Sequence, residues 1–143
     1  MPHPPAHVSE ENGVCAGVRQ GDESRRETGS RYEREAAARL SRMGYRILEE
    51  NFRCRQGEID LIAMEGKVLV FIEVKYRSSL RSGDPAEAVD GRKRERIVRC
   101  AKYFMMKRGF GGETPCRFDV VTFLRDEAGG ESQFRLIRDA FWA

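Results

Sequence analysis

The segment Gly57 to Arg77, reading GEIDLIAMEGKVLVFIEVKYR, constrains this chain most, because its alternating β-branched pattern commits it to an extended ribbon. Glu65-Gly66 supplies a turn signal between the run Glu58 to Met64 and the run Val68 to Arg77, so a β-hairpin is predicted. Side chains then alternate between faces. One face of the second strand carries Val68, Val70, Ile72, Val74 and Tyr76, and the other carries Leu69, Phe71, Glu73, Lys75 and Arg77. With Glu65 and Gly66 at the tip, Met64 stands opposite Lys67, Ile62 opposite Leu69, Asp60 opposite Phe71, and Glu58 opposite Glu73. Glu58, Asp60, Glu73 and Lys75 thus share a face. Opposed or diagonal side chains sit roughly 5 to 8 Å apart, a span that hydrated divalent cations can bridge.

The competing reading is a solvated face laced by cross-strand ion pairs. The neighbouring residues weigh against it. Near the turn the charged face is apolar (Ile62, Met64, Leu69, Phe71), and the opposite face is apolar along its length (Ile59, Leu61, Ala63, Val70, Ile72, Val74). Both faces therefore read as covered, with the charges confined to one end of the sheet. There Glu58 and Glu73 would repel unless a cation, a proton or a basic group intervened. A functional site is the better reading.

At 143 residues and 40% hydrophobic content, one domain with a real core is expected. Residues 1–28 hold three early prolines and no sustained periodicity, and read as a disordered tail ahead of a domain spanning 29–143. The four cysteines show no metal-ligand spacing and both histidines lie in the first few residues, which weighs against a zinc site. Free thiols suit a reducing compartment. No apolar run reaches transmembrane length and no signal-peptide core is present, so no membrane partner is expected and a cytoplasmic location is.

A helix is predicted from about Ser30 to Met43, with Tyr32, Ala36, Ala37, Leu40 and Met43 as its apolar stripe and Gly44 at its end. Glu33 lies beside that stripe; on this segment alone it reads as a first-turn carboxylate favoured by the helix dipole. A short strand follows from Arg46 to Asn51, then the basic connection Arg53 to Gly57. Beyond the hairpin come a polar loop at Ser78 to Gly83 and a helix start at Asp84-Pro85-Ala86-Glu87. A second helical stripe, Ile97, Cys100, Ala101, Phe104 and Met105, belongs to Arg92–Arg108. Lys93 falls in line with it and so points toward the sheet. This helix holds eight basic residues against one acidic one, Arg94 and Arg96 among them: either a solvated cationic face or a phosphate-contacting surface. Arg117 to Leu124 and Phe134 to Ala140 read as two further strands around the turn-rich Arg125 to Ser132. The expected architecture is α/β, a mixed central sheet of about five strands flanked by helices.

Glu33 in a leading helix, Gly57-Glu58-Ile59-Asp60-Leu61-Ile62 and Glu73-Val74-Lys75 together resemble the PD-(D/E)XK nuclease superfamily, although the proline of its first half-motif is absent here. More closely, Gly29 to Glu33, Gly44-Tyr45, Asn51-Phe52-Arg53, Gly57 to Ile62, Phe71 to Arg77, Ala88-Val89 with Lys93, and Arg117-Phe118-Asp119-Val120 resemble the YraN-like (UPF0102) family, a group related to archaeal Holliday-junction resolvases. The resemblance implies a restriction-endonuclease-like core and Mg²⁺-dependent hydrolysis of phosphodiester bonds in DNA, with Mn²⁺ able to substitute and RNA not excluded. It implies Asp60 and Glu73 as metal ligands, Glu33 as a further carboxylate, and Lys75 as the group that orients or deprotonates the attacking water. Glu58 is the least required of the acids. Arg53, Arg77, Lys93, Arg94 and Arg96 are the candidate nucleic-acid contacts. Branched, flapped and single-stranded forms are the candidate substrates, and a non-catalytic nucleic-acid-binding module is the alternative. Junction resolvases act as dimers, which raises a homodimer as an option without an apolar patch in this sequence to require one.

Overall fold

The structure, a computed structural model, describes residues 22–77, 91–125 and 132–141, with side chains from residue 29 onward. Residues 1–21 of the tail expected over 1–28, the loop at 78–83, the helix start at 84–87, Ala88-Val89 and most of the turn after Arg125 lie outside the described residues, whereas residues 22–28 are helical. In chain order the elements are α1 (Asp22–Arg42), β1 (Arg46–Cys54), β2 (Gly57–Glu65), β3 (Val68–Arg77), α2 (Gly91–Arg108), β4 (Cys116–Leu124) and β5 (Gln133–Phe141). The strands form one mixed sheet in the order β1-β2-β3-β4-β5. Only β3 and β4 run parallel, with α2 between them in the chain; a parallel pair needs such a crossover.

Each helix buries its stripe on one face of the sheet. Ala36, Ala37 and Leu40 of α1 pack with Leu61, Ala63, Val70, Ile72, Val121 and Phe123. Ile97, Cys100, Ala101 and Phe104 of α2 pack with Ile62, Leu69, Phe71, Phe118 and Val120 on the other. Both faces of the hairpin are covered, as its apolar pattern requires. The fold is α/β, and its five-stranded mixed sheet and two helices suit a nuclease-like core.

The details depart from sequence expectation in five places. First, β1 runs on to Cys54, because Phe52, Arg53 and Cys54, expected in part as a basic connection, pair with Ile59, Glu58 and Gly57 of β2. Helix α1 begins at Asp22, ahead of its apolar stripe, because the Glu- and Arg-rich residues before Tyr32 favour helix without needing burial. Met43 is 46% exposed, while Tyr45 is buried. The helix ends at Gly44, which takes φ 103, and the chain folds back so that Tyr45 N–H donates to Leu40 C=O at 2.9 Å.

The hairpin tip is Gly66-Lys67, with Glu65 paired to Val68 and Leu61 to Ile72. Gly66 has φ 64 and Lys67 is not left-handed, so glycine occupies the first loop position. The register therefore differs by two residues from the expected one. A shift of two preserves the faces but brings Asp60, not Glu58, level with Glu73.

Finally, the β1–β2 ladder passes over Asn51 and Asp60, and Asn51 adopts φ 57. Beyond that break Ile59 lies on the α2 face with Ile62, not on the α1 face with Leu61 as simple alternation expects.

Candidate functional site

The break at Asn51 and Asp60 frees the Asp60 side chain from the regular pleat. Its Oδ2 accepts a hydrogen bond from Val74 N–H at 2.8 Å, so a side chain takes the place of a ladder bond where β2 and β3 part. No feature of the sequence pattern foretells this contact, which anchors the acid of one strand to the backbone of the other. Glu73, immediately before Val74, extends on the α2 side of β3.

Glu73 holds two lysines. Its Oε2 lies 2.7 Å from Lys93 Nζ and 3.3 Å from Lys75 Nζ. Lys93 comes from the first turn of α2, where its position in line with Ile97 aims it at the sheet. From the other side of the sheet Glu33 of α1 comes up beside the Asp60 carboxyl, close enough for each acid to shift the other's protonation. Two helices on opposite faces thus converge on the end of one hairpin. Asp60 is 9% exposed and Glu73 7%.

Burial and charge set the protonation pattern. Burial, then the neighbouring Glu73 charge, push the Asp60 carboxyl up to about 8, against the Val74 hydrogen bond that favours its ionised form. Glu33 is also raised, chiefly by burial, while its contact with Asp60 opposes the rise. Near neutrality the Asp60–Glu33 pair consequently retains a proton that free carboxyls give up around pH 4. Lys75 is lowered, first by burial and then by Lys93, although Glu73 pulls it upward. Lys93 is raised: burial works against its charge, but Glu73 outweighs it. The two amines are therefore unequal, with Lys93 the firmer cation.

The other candidates lie around this centre. Glu58 is exposed and pairs with Arg53 at 3.2 Å, a solvent-screened contact, so the expected juxtaposition of Glu58 and Glu73 does not occur. Arg77 closes β3 and is half-buried. Arg94 is exposed, with its guanidinium 5.5 Å from the Phe141 ring centre. Arg96 is exposed, and its Cβ would lie 3.5 Å from a Cβ placed on Gly57. Among the described residues, no three His, Cys, Asp or Glu side chains are gathered into a ready-made metal-binding group.

A second polar cluster spans the sheet elsewhere. Asp119 is fully buried; its Oδ2 accepts from Tyr45 Oη–H at 3.0 Å, and its Oδ1 accepts from Arg117 Nε at 2.9 Å and from Asp139 N–H at 2.9 Å. Arg117 also reaches Glu65 at 2.6 Å, which Arg138 meets at 3.0 Å. The sequence marks this stretch only as the segment Arg117 to Val120; a lone acid within an apolar strand was the signal for a buried partner.

Fold and site together define a small α/β protein whose mixed sheet ends in a buried carboxylate pair beside two lysines. The chain belongs to the uncharacterised protein family UPF0102, whose model matches residues 32–123. It is 49% identical over 109 residues to a UPF0102 protein of Lachnoclostridium phytofermentans, covering 76% of this chain and 87% of that one. It is 48% identical over 118 residues to a UPF0102 protein of Moorella thermoacetica, covering 82% of this chain and 98% of that one. A UPF0102 protein of Symbiobacterium thermophilum is 46% identical over 118 residues, with the same coverage. The matched stretch contains Glu33, Asp60, Glu73, Lys75 and Lys93.

Proposed function

We propose that this protein is a divalent-metal-dependent nuclease of the PD-(D/E)XK kind, hydrolysing phosphodiester bonds in DNA. The observation that carries the reading is the burial of two acids together, Asp60 and Glu73 at 9% and 7% exposed, with Glu33 beside Asp60. Such crowding of acids is unfavourable unless something positive relieves it. Here a proton does so, and a hard divalent cation would do so in its place. The donor set fits, being entirely carboxylate oxygen, which suits Mg²⁺ or Mn²⁺. Asp60 and Glu73 would hold the ion, with Glu33 as a further ligand and Glu58 left outside by its distance in register and its pairing with Arg53.

When bound, the metal supplies Lewis-acid polarisation of the phosphate and lowers the cost of generating hydroxide. The chain's own groups supply the rest. Lys75, with its lowered proton affinity, accepts the proton of the attacking water, while Lys93 keeps its charge and steadies the phosphate oxygens. Water attacks phosphorus, the bond to the leaving oxygen breaks, and that oxygen takes a proton from solvent. Arg53, Arg77, Arg94 and Arg96 supply the cationic surface that a polyanion needs.

A second reading, a nucleic-acid-binding module without turnover, draws support from Glu73 itself, whose Oε2 is already engaged by two lysines. Purified protein incubated with Mg²⁺ or Mn²⁺ and a panel of duplex, branched, flapped and single-stranded DNAs, with RNA for comparison, separates the two. Metal-dependent cleavage abolished by Asp60→Ala and by Glu73→Ala is expected. DNA binding with no calorimetric signal for divalent ions would favour the binding module, and cleavage unaffected by both substitutions would remove the site.

A further inference from the structure

Tyr32 and Tyr76 form a stacked pair, with ring centres 4.6 Å apart and planes 18° from parallel. Each is the sequence neighbour of a site residue: Tyr32 precedes Glu33 on α1, and Tyr76 follows Lys75 on β3. The stack joins α1 to β3, and one residue further along the same helix Glu33 meets Asp60 of β2, the neighbouring strand. Behind Tyr32 the Phe123 ring lies 4.8 Å away, and the Tyr32 hydroxyl is held 3.2 Å from Ser132 Oγ, so the inner ring is fixed in place. Tyr76 is 36% exposed, the only aromatic side chain among the described residues to stand so open. Tyr32 covers one face of the Tyr76 ring, and about a third of the residue stays open to solvent.

An aromatic ring held rigid from behind and partly open to solvent costs little to order when something stacks on it. The surroundings specify what that is. Exposed Arg31 sets its guanidinium 5.9 Å from the Tyr32 ring centre, and Arg77 follows Tyr76 on β3. An aromatic surface bordered by arginine suits a flat ring attached to a phosphate.

We infer that Tyr76, backed by Tyr32, is a stacking surface for an unpaired nucleobase, which makes single-stranded DNA or the unpaired part of a flap or junction the preferred ligand. Bases inside an intact duplex stack on each other and present no free face, so a blunt duplex cannot use this surface. The inference rests on the nucleic-acid reading of the adjoining site and narrows its substrate.

The test uses the full chain in EDTA, where cleavage is prevented, with a single-stranded oligonucleotide carrying 2-aminopurine and a blunt duplex of the same sequence. Wild-type protein is expected to quench the 2-aminopurine fluorescence on binding. Tyr76→Ala is expected to abolish the quenching and weaken single-strand affinity about 5- to 150-fold while leaving duplex affinity unchanged. Tyr76→Phe should retain both quenching and affinity, which separates ring stacking from disturbed folding. Wild-type protein that cleaves DNA but binds strand and duplex alike without quenching overturns the stacking surface and leaves the nuclease reading intact. Tyr76-dependent quenching without cleavage under any metal overturns the nuclease and keeps the surface. Absence of binding to every DNA overturns both.

Discussion

Lys93 Nζ sits closer to Glu73 Oε2, at 2.7 Å, than does Lys75 Nζ, at 3.3 Å, although Lys75 lies two residues from Glu73 and Lys93 belongs to a different element. The longer-range lysine therefore holds the acid and leaves its sequence neighbour the weaker partner. That division keeps one amine charged and lowers the proton affinity of the other.

Replacing Lys93 tests this division. In Lys93→Ala, Lys75 loses a cationic neighbour and becomes the sole partner of Glu73, so its proton affinity rises. Under the nuclease reading, cleavage should fall ~10- to 100-fold, as for loss of a residue supporting a metal ligand. The alkaline shift of the pH–rate profile is the diagnostic result, because a merely structural lysine would not move it.

Asp60 carries a pH signature of its own. Its carboxyl titrates at about 8 in the folded protein against an ordinary 3.8, so folding takes up a proton. The resulting stabilisation is fully present below 3.8 and is lost as pH rises through about 8. Urea unfolding of metal-free protein should therefore show stability declining across that window, by at most ~1.4 kcal/mol per pH unit. Asp60→Asn keeps an oxygen for Val74 N–H and removes the charge, so it should flatten the decline and raise stability above pH 7. Under the nuclease reading the same variant loses cleavage, the usual opposition of stability and function at a crowded acid site.

Asp119 is expected to matter for stability alone. Removing it leaves Arg117 short of its principal partner and strips an acceptor from Tyr45 and from Asp139 N–H. Asp119→Ala should cost about 3–5 kcal/mol in chemical unfolding, the usual range for breaking a buried ion pair. Tyr45→Phe removes one hydrogen bond of the same group and should cost about 1 kcal/mol. A neutral Asp119→Ala would contradict the assignment.

The thiols should differ in reactivity. Cys100 is fully buried, and burial followed by its contact with Cys54, whose Sγ is 3.0 Å away, pushes it up to about 12. Thiolate is the reactive form, so Cys100 should stay unlabelled by iodoacetamide at neutral pH and become labelled in guanidinium. Peptide mass spectrometry reads both states.

Much of this architecture was legible in the chain. Period-two alternation marks β3 at Val68–Arg77 as both strand and carrier of the chemistry, and the stripe from Ile97 to Met105 marks α2. The resemblance picked out Glu33, which nothing in its own helix distinguishes. Glu58 shows the opposite case: residue type and parity matched the site, yet the register carried it away to Arg53.

Sequence alone determined which residues face together along β3 and the turn-proximal part of β2, since odd or even position survives a register shift of two; at Ile59 and Asp60 the break in the ladder overturned it. It also placed the chain in its family resemblance and put Asp60, Glu73 and Lys75 on one ribbon. Tertiary structure decided which of them touch. The position of Gly66 in the turn, the break at Asn51 and Asp60, and the two helices closing from opposite faces depend on packing between elements distant in the chain. Local pattern carries no record of that packing, so the original hairpin became a site only when Glu33 and Lys93 arrived from outside it.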